Sequence, residues 1–200
     1  MAYEEPRFAV IDSTDAYEIR AYEPHLVAEV AVEGEYEAAG NAAFGILAAY
    51  IFGNNADSLT MAMTVPVSIT PVHDRAQLSV VAVDESPIGK DRYTYRFVIE
   101  RQYTAATLPP PRDKRITIRE IEARTMAVSR YSGRATEVNH RRNLAILRAA
   151  VDRDGRRVRG EPEFAVYNGP FTLPFLRRNE VVLELVPDAA MNPNSRVPRQ

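Results

Sequence analysis

The stretch Tyr50-Ile-Phe-Gly-Asn-Asn-Ala-Asp-Ser-Leu-Thr-Met-Ala-Met-Thr-Val-Pro66 joins the end of a long apolar segment to an alternating one. Glycine and asparagine tolerate positive φ, so Gly53 and the two asparagines after it predict a helix C-cap followed by a turn. Apolar residues then alternate from Met61 to Val67, which predicts a strand with one apolar face. The junction therefore predicts a helix that packs on a sheet.

The rest of the chain predicts strands on both sides of one helix. The helix spans about residues 36–52, because Phe44, Leu47 and Ile51 recur at helical spacing and form an apolar stripe that faces the core. Alternating segments predict strands at 17–22 and 26–32 before the helix, and at 64–70, 77–83 and 92–99 after it.

After the proline run Pro109–Pro111, which cannot lie in a central strand, the pattern starts again. Ile118-Arg119 repeats Ile19-Arg20, and Gly133 repeats Gly34, at an offset of about 99 residues. A second helix is predicted at about 135–153, with its core stripe at Leu144, Leu147 and Val151, and the last two strands near 164–167 and 180–185. Two copies of a strand-strand-helix-strand-strand unit predict an α+β fold, with eight or nine antiparallel strands curled round a shared core and one α-helix against each half.

These segments predict one domain over residues 15–187. It would contain an internal pseudo-repeat of about 15–100 and 115–187. Residues 1–14 would form an N-terminal arm, and residues 188–200 a flexible C-terminal tail.

Composition narrows the class of partner. The chain has 200 residues, a formal charge of −2 and no cysteine. Near-neutral charge gives no electrostatic reason to expect nucleic acid or an anionic membrane, and without cysteine there is no disulfide or thiolate metal site. The start of the chain has no apolar signal core and no segment approaches the length of a membrane span. The sequence therefore predicts a cytoplasmic protein without membrane insertion, and a removed signal peptide is the alternative.

No catalytic constellation is recognisable, so an enzyme is the less favoured class. The three histidines, His25, His73 and His140, are isolated and none has metal-ligand spacing with another. Each is interpreted as a surface or turn residue, with His140 on the exposed side of the second helix. There is neither a glycine-rich phosphate loop nor a nucleophile elbow.

The first helix is unusual because it has no charged residue from Ala38 to Ala56. The side opposite its predicted core stripe is an apolar strip, made of Ala38, Asn41, Ala42, Gly45, Ala48, Ala49 and Phe52. Contiguous apolar surface of this kind generally marks a binding groove or an interface. Three occupants stay open: a flat hydrophobic ligand, a second copy of the chain in a homodimer, or a neighbouring segment such as residues 170–175.

A segment late in the chain, residues 167–178, is rich in aromatic and apolar residues. Phe171 and Phe175 either plug the end of the barrel or form the second wall of a hydrophobic cleft with the first helix. In the second case Arg177 or Arg178 could bind a carboxylate of the ligand.

Three motifs in order resemble the SOUL family of haem-binding proteins: Tyr50-Ile-Phe-Gly-Asn-Asn55 with Met61-Ala-Met-Thr-Val-Pro66, then Leu108-Pro-Pro-Pro111, then Pro174-Phe-Leu-Arg-Arg-Asn-Glu-Val181. The resemblance covers about residues 15–186. It implies a distorted antiparallel barrel with two helices, and a non-covalently bound haem or other tetrapyrrole between the first helix and residues 169–178 of the late segment. The ligand-binding residues would then be Asn41, Gly45, Ala48, Ala49, Phe52, Met61, Met63, Phe171, Leu173, Phe175 and Arg177.

Met61 and Met63 would share a strand face and are either core residues or contacts of the macrocycle and its iron. The animal members of the family are described as meeting the haem propionates with basic residues, and the aligned positions here are Asn41, Ala49 and Leu173. Ala21 stands where some members have a histidine proposed as an iron ligand. Arg177 matches the family's shared arginine, or it pairs with Glu180.

The resemblance therefore implies a non-enzymatic buffer or carrier of a tetrapyrrole, with weak, salt-insensitive haem binding or a preference for a less anionic hydrophobe. Two alternatives stay open. One is an effector-binding type of domain that senses or hydrolyses another hydrophobic molecule, which a Glu or Tyr facing a central groove would favour. The other is a dimerisation module without a ligand.

Overall fold

A computed structural model describes residues 3–72, 92–169 and 171–187 of the protein. These residues form nine β-strands and two α-helices, with a short 3-10 helix at Pro174–Leu176. In chain order they are β1 (Phe8–Ser13), β2 (Glu18–Tyr22), β3 (His25–Glu33), α1 (Tyr36–Ile51), β4 (Val67–Val72), β5 (Arg92–Val98), β6 (Thr117–Ile121), β7 (Arg124–Tyr131), α2 (Glu137–Arg153), β8 (Val158–Val166) and β9 (Asn179–Leu185).

The nine described strands form one antiparallel sheet in the order β1-β2-β7-β9-β8-β4-β5-β3-β6. The sheet curls into a half-barrel, and α1 packs on β3 and β5 while α2 packs on β7 and β9. The predicted α+β fold is confirmed. The predicted strand at 77–83 lies outside the described residues.

The strand order is symmetric with respect to the two predicted repeat units. From β2 to β6, exchanging β2, β3, β4 and β5 with β6, β7, β8 and β9 gives the same strand order read in the opposite direction. The predicted equivalents Gly34 and Gly133 both have positive φ, 136° and 117°, just ahead of a helix. The superposition of the two units stays a prediction, which this symmetry supports.

The junction after α1 is held by one buried amide side chain. Gly53 has a φ of 109°, so the chain leaves the helix as the sequence predicts. The Asn55 amide donates to the carbonyl oxygens of Tyr50, at 3.0 Å, and Leu59, at 2.7 Å, and its oxygen accepts from the Leu59 N–H at 2.9 Å. Because Asn55 is fully buried, these bonds satisfy polar groups that would otherwise be costly to bury.

The segment after this turn is not the predicted strand. β4 begins only at Val67, because the preceding backbone donors are used elsewhere. The Met61 N–H donates to Ile51 O at 2.7 Å, and the Val65 N–H to Glu4 O at 2.9 Å. Pro66 has no N–H to donate to a sheet neighbour.

The predicted N-terminal arm contains a strand that sequence reasoning missed. β1 pairs with β2 at the edge of the sheet, from Phe8 opposite Tyr22 to Ser13 opposite Glu18. Much of it is exposed, including Val10 and Ile11. Its sequence therefore lacks the alternation that marks a strand with one buried face.

The main core lies between the two helices and one face of the sheet. Leu47, Ile51, Leu147 and Val151 are buried in it as predicted. Phe44, which was predicted in the same core stripe, is instead 45% exposed. Its ring packs against Phe97 with 5.4 Å between centroids. Leu144 is only partly buried against this core.

His140 is a second correction, because it is fully buried and not a surface residue. Its Nδ1 lies 2.6 Å from the Tyr131 hydroxyl, and its ring stacks on Phe164 with 4.5 Å between centroids. Burial lowers its pKa to about 4. Within residues 3–72, 92–169 and 171–187 there is no helix with the length and apolarity needed to cross a membrane.

Candidate ligand-binding site

The solvent-facing side of α1 is an uncovered apolar strip. Asn41, Gly45, Ala49 and Phe52 all lie on it, and Phe52 is 58% exposed. A Cβ added at Gly45 would meet no atom within 4 Å. We call this surface the α1 strip, and it comprises Ala38, Asn41, Ala42, Gly45, Ala49 and Phe52.

Ala48 is not part of the α1 strip. It is 9% exposed and belongs to the main core with Leu47 and Ile51. Residues three apart share a helix face, so Ala48 lies on the same face of α1 as the buried Ile51. The predicted strip is therefore corrected at this position.

The two methionines near the junction are core residues. Met61 is 4% exposed inside the main core, and Met63 is partly buried against it. Neither lies in a strand, so the shared strand face predicted for them is absent from this described segment.

The late loop exposes its apolar side chains. Phe171 is fully exposed and Phe175 is 69% exposed, so these rings do not plug the end of the barrel. Leu173 and Leu176 are exposed as well. We call residues 169–178 the late loop from here on.

Backbone and side-chain hydrogen bonds fix the shape of the late loop. The Gly133 N–H, just ahead of α2, donates to Pro174 O at 2.9 Å. The Nε of Arg177 donates to Thr172 O at 2.8 Å, so this guanidinium helps to close the loop. Of the two adjacent arginines, it is Arg178 that pairs with Glu180, at 3.0 Å.

The α1 strip and the late loop are therefore held by different parts of the fold. α1 packs on β3 and β5, whereas the loop is tied to the start of α2. Both are open apolar surfaces, and their union into one cleft stays a prediction.

The opposite face of the sheet carries a charged network that sequence reasoning did not find. Alternation along the strands places Arg20, Arg96 and Glu180 on the face away from the helices, since Ile19, Phe97 and Val181 pack in the main core. This face lines a cavity of about 30 Å³, room for about one water molecule. We call it the groove, and its lining includes Tyr22, Arg96, Arg124, Glu163, Tyr167 and Glu180.

Glu180 is the centre of this network and is fully buried. Its carboxylate accepts from Arg20 at 3.0 and 3.2 Å, from Arg178 at 3.0 Å and from the Tyr167 hydroxyl at 2.7 Å. Burial opposes the charge on Arg20, but hydrogen bonds and the charge of Glu180 outweigh it and raise the pKa of this guanidinium. Burial first, and then the Glu180 charge, raise the pKa of Tyr167.

Two further carboxylates on this face are also paired. Glu29 binds Arg96 at 2.9 Å and Arg119 at 2.8 Å, and Glu163 binds Arg124 at 2.9 Å. Burial raises the pKa of Glu163, but the Arg124 charge, a Ser68 hydrogen bond and other partners hold it below its usual range. The sequence signal that could have indicated this network is the presence of charged residues inside otherwise apolar strands, such as Glu29 in β3.

Together these features define a class of protein: a curled antiparallel α+β domain with two helices, one of which carries an exposed apolar strip. The chain belongs to the SOUL heme-binding protein family, because a sequence model of that family matches residues 3–184. A search of curated proteins finds no match to the chain.

Solved structures with similar folds have little sequence in common with this chain. The EcmrR C-terminal domain has a TM-score of 0.59 at 12% identity, covering 85% of this chain and 98% of that one. A hydrolase from Listeria innocua has a TM-score of 0.53 at 11% identity, covering 93% and 94%. SAV2435 bound to tetraphenylphosphonium has a TM-score of 0.50 at 10% identity, covering 85% and 93%. These likenesses establish the shared fold.

Proposed function

We propose that the protein is a non-enzymatic binder of haem or a related tetrapyrrole, held between the α1 strip and the late loop. The observation that carries the proposal is the exposed apolar strip on α1, in a chain of this family. Buried apolar area stabilises a complex by roughly 25 cal/mol per Å², and a flat macrocycle would remove both this strip and the Phe171 and Phe175 rings from water. The protein would then buffer or carry its ligand.

The polar part of the site favours modest affinity for haem. Between Ala38 and Ala56 the chain has no charged side chain that could bind a haem propionate. Arg177 already donates a hydrogen bond to the Thr172 carbonyl oxygen. Charge-assisted hydrogen bonds contribute about 1.5–3 kcal/mol each. Without them, contact with the macrocycle would be mainly hydrophobic.

An absorbance titration with hemin is therefore expected to give binding at least about tenfold weaker than a site with two charged propionate contacts. The dissociation constant should change little between low and high salt, because few ion pairs are screened. Protoporphyrin and bilins are titrated in parallel to identify the preferred ligand. A sharp low-spin Soret spectrum with nanomolar affinity would contradict this prediction and direct attention to His25, Met61 and Met63 as ligands.

The site itself is tested by Ala49→Glu in the α1 strip. The added carboxylate would stand where the macrocycle packs, so hemin binding is expected to be lost while the circular dichroism spectrum is unchanged. Ala149→Glu is the matched control, since Ala149 is an exposed alanine of α2, and it should leave hemin binding intact. Equal hemin binding by both variants would place the ligand elsewhere.

The same experiment separates a ligand site from a dimer interface. If the α1 strip joins two copies of the chain, light scattering will show that Ala49→Glu converts a dimer to a monomer in the absence of hemin. Ala48→Glu is a useful third variant, because a carboxylate at this core position should unfold the protein.

An effector-binding function is the second candidate, and the groove favours it. Glu163, Glu180 and Tyr167 face a central cavity, and a protein of similar fold has been solved with a bound organic cation. Each of the two glutamates is paired with an arginine, however. While Glu5, Pro6 and Phe8 line it, a cavity of about 30 Å³ holds no drug-sized ligand. A titration with tetraphenylphosphonium distinguishes the two functions, and no binding is expected.

A further inference from the structure

The N-terminal residues 4–8, which we call the strap, lie over the groove. The strap leaves the edge strand β1, passes Arg178 and ends at a backbone bridge between Glu4 and Thr64, just ahead of β4. Glu5, Pro6 and Phe8 line the groove cavity together with Tyr167 and Glu180. The strap therefore covers part of the charged network.

The strap presents a carboxylate to the groove. Glu5 Oε1 and Oε2 accept from Arg178 Nη1 at 3.0 and 3.1 Å, and the Arg178 guanidinium lies 3.6 Å from the centre of the Tyr167 ring. The Nε and Nη2 of Arg178 are engaged by Glu180. Glu5 supplies the only carboxylate among the described partners of Nη1.

The strap also presents an aromatic ring. The Arg20 guanidinium lies 4.4 Å from the centre of the Phe8 ring, and Phe8 packs on Tyr22 with 5.1 Å between centroids. A cation over a ring face and a tilted ring pair both favour an aromatic group at this place. Glu5 and Phe8 together therefore present a carboxylate and an aromatic ring to one groove.

The strap is attached through few main-chain bonds. Its described hydrogen bonds between backbone groups outside the β1–β2 ladder are Val65 N–H to Glu4 O at 2.9 Å and Glu23 N–H to Arg7 O at 3.0 Å. The Glu4 carboxylate also accepts from the Arg101 N–H at 2.8 Å and pairs with the Arg101 guanidinium, whose side chain is 48% exposed. Residues 5–7 belong to no helix or strand. A segment with few backbone bonds and partly exposed contacts opens at low free-energy cost compared with the core.

We propose that the groove beneath the strap is a second binding site, for a small amphipathic carboxylate, and that the strap occupies it in the free protein. The ligand's carboxylate takes the position of Glu5 on Arg178, and its apolar or aromatic body takes the position of Phe8 beside Arg20 and Tyr22. Binding displaces residues 4–8, including the Phe8 end of the ladder between β1 and β2, and leaves the pairs from Ala9 to Ser13 in place. This site is separate from the one proposed for the tetrapyrrole.

The test uses 4-phenylbutyrate as the probe and its uncharged amide, 4-phenylbutyramide, as the control. In the unmodified chain the acid should bind and the amide should not, as measured by calorimetry. Hydrogen exchange at the Val65 and Glu23 amides should accelerate in the complex, because both amides are bonded to the strap. Equal binding of acid and amide, or unchanged exchange at Val65, would overturn the proposal.

The matched variants are Glu5→Gln, which weakens the competing strap, and Glu120→Gln, an exposed carboxylate on β6. Glu5→Gln should bind 4-phenylbutyrate about tenfold or more tightly than the unmodified chain, because one charge-assisted competitor is removed. Glu120→Gln should bind it as the unmodified chain does. If Glu5→Gln binds no more tightly than Glu120→Gln, the strap does not occupy the site. Hemin affinity should be the same in all three proteins.

Discussion

Replacing Glu180 with alanine is expected to lower the free energy of unfolding by about 3–5 kcal/mol. The substitution removes the carboxylate that pairs with both Arg20 and Arg178. The side chain of Arg20 is only 6% exposed, so its charge would stay buried with weaker compensation. Breaking a buried pair from one side costs far more than an exposed ion pair contributes.

Urea denaturation followed by circular dichroism measures this loss. Glu184→Ala is the control, because Glu184 lies on the same strand but pairs with Arg159, whose side chain is 55% exposed. That variant should lose less than about 1 kcal/mol. If the two variants lose the same free energy, the buried network does not stabilise the fold, and Glu180 would have another role.

The sequence could not locate this network, because its members are far apart in the chain. Arg20 and Glu180 are separated by 160 residues. Only the pairing of β2 with β7, and of β7 with β9, brings them together. Isolated charges inside apolar strands indicate that partners exist, but a single sequence does not say which ones they are.

Helix and strand positions were predictable where local chemistry decides them. Gly53 and the residues after it set the end of α1, and the tyrosine-rich alternation of β5 set that strand. The segment around Met61 alternates as a strand would, yet its backbone bonds to the end of α1 and to Glu4. Tertiary hydrogen bonding overrode the pattern there.

The rotation of α1 was harder to predict than its length. The helix is apolar almost all round, so no polar face fixes which side is buried. Two sides of the helix are similarly apolar, so the pattern did not decide which of them faces the core. Phe44 was therefore predicted to be buried and Ala48 to be exposed, whereas the structure shows the reverse. α2 has a clear polar face, yet His140 was placed on it because nothing local indicates its contact with Tyr131.

The burial of His140 has a measurable consequence for the pH dependence of stability. The unfolded imidazole has a pKa of about 6.5, and burial lowers the pKa of His140 to about 4 in the folded protein. As pH falls from about 6.5 to about 4, the unfolded state binds a proton that the folded state does not. Stability is therefore lost over this window, by up to about 3 kcal/mol.

His140→Gln should remove most of this loss between pH 7 and pH 4.5, since glutamine does not titrate while its amide can still bond the Tyr131 hydroxyl. Free energies of unfolding from urea denaturation at these two pH values give the comparison. His25→Gln is the control, because burial also lowers the pKa of His25. This half-buried residue should account for a smaller share of the stability lost between pH 7 and pH 4.5. The buried imidazole would not be the acid-sensitive group if His140→Gln lost as much stability as the unmodified protein does.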